Sequence, residues 1–171
     1  MGRFLKILGD TFLTEHLYGS KYFPNLGKYF YPYIYVKAMI YTAGADELSL
    51  KERQYIQGLV EILLPNNNAQ SIENRLEIMS FVEAAVPNSE ENISSFLSGS
   101  MMTSPVLSRV LIYDVVRAST ADGDYSKQER ENVHRVCKQL GITENIRKSI
   151  EEVSEREQKV AAQKREILFR L

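Results

Sequence analysis

Six acidic side chains occupy matching places in a repeated pattern, and they are the residues here best suited to chemistry. Asp46, Glu47 and Glu52 lead into one apolar-patterned segment, and Asp122, Asp124 and Glu129 lead into a second. Carboxylates beside turn carbonyls are the donor set of a hard divalent cation such as Ca²⁺, Mg²⁺ or Mn²⁺. Zn²⁺ also accepts carboxylate oxygen. The same acids have a second explanation, because negative charge is favoured at a helix N-terminus. An EF-hand frame does not fit. With Asp122 at position 1, Lys127 takes the place of the required glycine and Val133 that of the bidentate Glu.

The pattern around these acids is an internal repeat. Ser49-Leu50-Lys51-Glu52-Arg53 recurs as Ser126-Lys127-Gln128-Glu129-Arg130. The segments that follow keep register: Ile56, Leu59, Val60 and Leu63 answer to Val133, Val136, Cys137 and Leu140. One duplicated helical unit accounts for this. Ser-x-x-Glu is a capping box, in which the Ser hydroxyl accepts the N3 amide and the Glu carboxylate accepts the Ser amide. The acids before each box, Asp46, Glu47, Asp122 and Asp124, lie outside that explanation.

Other reactive residues form no constellation. His134 and Cys137 stand at i and i+3 with Glu131 one turn earlier, too few ligands for a zinc site without a second cysteine. Cys137 falls on the apolar stripe of the repeat and reads as a core residue. His16 has no partner in a recognisable frame. No Ser-His-Asp order, phosphate-cradling glycine loop or Glu-x-x-His pair occurs. With no nucleophile beside a base, the expectation is a protein that is not an enzyme.

The elements that position these residues read as helices nearly throughout. An amphipathic helix is expected over 4–18, followed by an aromatic segment from Tyr22 to Tyr35. Pro32 is expected to start a helix running to about Ala45. Helices follow over 50–64, 69–86 and, shorter, 90–97. Ser104-Pro105 starts one that ends near Ala121. Another spans 127–140 and stops at Gly141. Thr143 opens a long final helix with its apolar seam at Ile146, Ile150, Val153, Val160, Ile167 and Leu171. The fold class is all-α, a single domain of about seven helices with two pseudo-symmetric hairpins. Residues 1–33 pack on a core of 34–145, and 146–171 form the charged C-terminal helix.

Composition agrees with one globular domain. The 171 residues are 44% hydrophobic and 25% charged. With 21 basic and 22 acidic residues the net charge is −1, which offers no general attraction to nucleic acid. The single cysteine permits no internal disulfide and suits a reducing compartment. No apolar run reaches the roughly 18–20 residues that a membrane span needs.

The segment Ala121-Asp122-Gly123-Asp124-Tyr125-Ser126-Lys127-Gln128-Glu129, set between two apolar helices, resembles the signature of the TerB-like tellurite-resistance family. That signature runs Ala-Asp-Gly, a variable residue, an apolar residue, Ser or Asp, two variable residues, then Glu. The first copy resembles it with the glycine deleted, and the match covers residues 34–141. The resemblance implies an all-helical fold with two hairpins related by a pseudo-twofold. It also implies a small cytoplasmic protein linked to tellurite resistance, stress response or phage defence, with no established catalysis. An acidic cluster that binds a divalent cation is implied as well. Its ligands here would be Asp122, Asp124, Glu129, Asp46, Glu47 and Glu52.

A second reading needs no metal. The aromatic segment 22–35 is either a protein-binding face or a core edge with its hydroxyls in water. The spaced apolar residues of the last helix suit a partner helix or a second copy of the chain. Peripheral membrane contact through residues 4–18 is disfavoured by Asp10 and Glu15.

Overall fold

A computed structural model describes residues 26–44, 47–64, 69–87 and 105–169. The described residues form six helices and no strand. They are α1 Leu26–Ala43, α2 Leu50–Leu63, α3 Ala69–Ala84, α4 Pro105–Ser119, α5 Lys127–Gln139 and α6 Glu144–Phe169. The helices expected over 4–18 and 90–97 lie outside the described residues, as do residues 22–25 of the aromatic segment, whose remainder falls in α1. No described helix is long and apolar enough to cross a membrane.

α1 runs through the middle of the molecule and touches α2, α3, α4 and α5. Its sequence explains this position, because a helix apolar on every side must be surrounded. Val36, Ala38, Met39, Ile40 and Ala43 have no exposed surface. Leu111, Ile112 and Val115 of α4, Ile56 and Val60 of α2, and Val133 and Val136 of α5 close around it. The stripe read from the repeat is therefore the buried face of α2 and α5.

One boundary differs from its expectation. Pro32 does not start α1 but lies inside it, and the helix begins at Leu26. A proline within a helix forfeits one backbone bond. Here the chain from Pro32 onward is almost wholly buried, and that packing holds the helical path through the proline.

The ends of these helices are held by distant side chains. Arg53 Nη1 donates to Val82 O at 2.6 Å and Glu83 O at 3.0 Å, and its Nη2 donates to Ala85 O at 3.1 Å, which closes the C-terminus of α3. Asn132 Nδ2 donates to Tyr41 O at 2.9 Å and Thr42 O at 2.8 Å, at the end of α1. α6 packs its first half on α4 and α5. From Lys159 to Phe169 every residue of α6 is exposed.

The aromatic segment is represented by two side chains. Tyr35 is buried and donates its hydroxyl to the Asp114 carboxylate. Its hydroxyl is thus not in water, contrary to the core-edge reading. Tyr33 is partly exposed and stands 5.1 Å from the Phe81 ring.

Candidate acidic site at the two capping boxes

Both capping boxes form as the spacing requires. Ser49 Oγ accepts Glu52 N at 3.3 Å, and Glu52 Oε2 accepts Ser49 N at 2.5 Å. In the second copy Ser126 Oγ accepts Glu129 N at 3.2 Å, and Glu129 Oε2 accepts Ser126 N at 2.6 Å.

Capping glutamates usually sit at the surface, but these do not. Glu52 is 3% exposed and Glu129 6% exposed. The two buried carboxyl side chains lie close enough to act on each other electrostatically. Burial pushes the pKa of Glu52 up from 4.5 to about 7, and the neighbouring Glu129 carboxyl adds to the rise. The bonds from Ser49 oppose it. Burial and a like charge nearby both favour the neutral form, so the Glu52 carboxyl keeps its proton well above the usual carboxylate range.

The second acidic turn is built differently. Gly123 has φ +99°, a conformation that favours glycine. Asp122 Oδ1 accepts Asp124 N at 3.0 Å, and Asp124 Oδ1 accepts Tyr125 N at 2.8 Å. These are local Asx bonds that fold the turn, and both aspartates are exposed. In the first turn Glu47 is exposed, and Asp46 lies outside the described residues.

The structure thus joins two of the six predicted ligands, Glu52 and Glu129. It does not bring Asp122 and Asp124 into one cluster with Glu129. Among the described residues no group of three or more His, Cys, Asp or Glu side chains could hold a metal ion. The donors that do meet are carboxyl oxygens alone, a chemistry suited to a hard cation. Neither partner had a sequence signal for this meeting beyond the repeat itself, which places both at the same step of equivalent helices.

A polar cavity of about 450 Å³ opens beside the second turn, lined by Asp124, Tyr125, Arg130, Lys148, Glu151 and Ser154, among others. Tyr125 donates its hydroxyl to Glu151 at 3.1 Å. Arg130 lies over the Tyr125 ring at 4.3 Å and donates to Tyr125 O at 3.0 Å. The sequence marked Arg130 only as part of the repeat. Cys137 is buried, and burial raises its thiol pKa to about 12, so it is inert. His134 Nδ1 meets a Glu144 oxygen at 3.2 Å in a surface pair away from the acids of the turn.

Comparison with known proteins bears on the fold. No family model and no curated protein matches the chain. A solved tellurite resistance protein from Nostoc punctiforme superposes on it with a TM-score of 0.61. The superposition covers 100% of this chain and 98% of that one. The fold is TerB-like. Sequence identity is 18%, so the likeness is one of architecture. It agrees with the resemblance carried by residues 121–129.

Proposed function

We propose that this protein is a non-enzymatic TerB-like module of the tellurite-resistance or stress-response type that binds a divalent cation at its paired helix starts. The observation that carries the reading is the burial of the Glu52 and Glu129 carboxyls beside one another. A buried carboxyl pair at neutral pH needs a positive charge between its members, either a proton or a metal ion. Ca²⁺, Mg²⁺ and Mn²⁺ suit the all-oxygen donor set better than Zn²⁺. Glu52 and Glu129 would hold the ion from inside, with water completing its shell. Asp122, Asp124, Asp46 and Glu47 would contribute charge from the two turns, drawing the cation in.

Thermal melts with and without each cation test this. Binding to the native state must raise its stability. The wild type should melt higher with at least one of the four ions. Glu52→Gln with Glu129→Gln should abolish that rise, and Asp122→Ala with Asp124→Ala should reduce it. Identical wild-type melts under all four ions would refute the cation reading.

A further inference from the structure

We infer that the protein forms a two-fold symmetric dimer in which the α6 helices of two copies run antiparallel. Each free helix end then fills an apolar groove of the partner.

Two unsatisfied features on the same chain carry this. The first is the end of α6. Ile146, Val153, Val160 and Ile167 recur every seven residues, the period of a helix seam that faces another helix. Ile146 is half-buried against the core, but Val160 and Ile167 are 62% and 80% exposed. Leu168 and Phe169 beside them are also exposed. The seam therefore runs off the domain with nothing against it among the described residues.

The second is a depression of about 340 Å³ between α4 and the first half of α6. Tyr113, Ile146, Ile150 and Val153 give it an apolar lining, with Arg109 and Ser149 also contributing. Exposed Val106 and Val110 extend its rim along α4.

Charge decides the occupant and its direction. From Glu144 to Glu157 the helix carries five acids and three bases, a net −2. From Gln158 to Phe169 it carries Lys159, Lys164 and Arg165 against Glu166, a net +2. A helix dipole favours such a bias only within the first and last turns, whereas here it extends over whole halves. A parallel pair would set like charge on like. An antiparallel pair sets the acidic half of one copy on the basic half of the other. In the register that opposes alternate seam positions, Ile167 meets Ile150 of the second copy and Val160 lies beside its Glu157. Two-fold symmetry makes every such contact twice.

Light scattering of the full chain should return twice the 19.6 kDa chain mass. Val160→Asp with Ile167→Asp alters only exposed positions and should return the monomer. Lys164→Glu with Arg165→Glu should weaken the dimer most at low salt. Spin labels then read the direction, since buried Cys137 is protected from labelling. Labels at Lys159→Cys should lie close together across the dimer. Labels at Phe169→Cys should be about 30 Å apart, from the 1.5 Å rise per residue. A monomeric wild type, including one that binds lipid vesicles instead, would overturn the inference. So would a dimer untouched by the Asp substitutions, or short distances at both labels.

Discussion

The side chain of Glu52 is buried beside that of Glu129, its counterpart in the other copy of the repeat. Each carboxyl also caps its own helix. One pair of residues thus starts two helices and brings their capping carboxyls near one another.

Stability should depend on pH through this pair. The folded pKa of Glu52 is raised to about 7 from 4.5. A raised carboxyl pKa contributes stability that is fully present below pH 4.5 and is lost as pH rises through 7. The loss amounts to roughly 3 kcal/mol. Glu52→Gln keeps the capping acceptor and removes the titration. Urea unfolding should show the wild type losing stability relative to Glu52→Gln across that window when no divalent cation is present. Parallel pH profiles would contradict the raised pKa of Glu52.

The helices around this pair were largely legible in the sequence, and the pair was not. Ser-x-x-Glu is a local signal, and both boxes form where the spacing put them. The repeat stripe from Ile56 to Leu63 and from Val133 to Leu140 named the buried faces, since period alone fixes a helix face. The Asx bonds of Asp122 and Asp124 match the turn-chemistry alternative, which is equally local. The meeting of Glu52 with Glu129 depends on how two distant helices pack, and no local pattern encodes that. The early start of α1 was hidden for a related reason, because burial overrides the proline.

Arg53→Ala should loosen the end of α3. Three carbonyls, of Val82, Glu83 and Ala85, lose their donor at once. A loss of about 2 kcal/mol is expected for hydrogen bonds to a charged group. Amide exchange should speed up at residues 82–87 more than in α4 or α5.

Tyr35→Phe should destabilise the fold by roughly 1–3 kcal/mol. It removes the hydroxyl that donates to Asp114 and leaves that carboxyl in place. Burial already raises the Asp114 pKa, while Tyr35 and Arg117 hold it down. The variant should therefore lose more stability above the carboxyl range than below it. Asp114→Asn in the same background should recover part of the loss.

Gly44→Ala and Gly123→Ala should fail for different reasons. A Cβ on Gly44 would stand 2.2 Å from Pro87 Cγ and 3.0 Å from Ile40 O. Such overpacking costs about 1–3 kcal/mol. A Cβ on Gly123 meets nothing within 4 Å, and only its φ of +99° resists the change. That cost is roughly 1 kcal/mol. Thermal melts should rank Gly44→Ala the lower.

Asn132 closes the end of a helix that was finished some ninety residues earlier in the chain. A ribosome that has made α1, α2 and α3 has not yet made the side chain that terminates α1. The same delay applies to Glu129, the partner of Glu52. The N-terminal half therefore emerges with a frayed helix end. It should gain native protection only once α5 has left the tunnel. Folding of the two repeat units is in this sense one event.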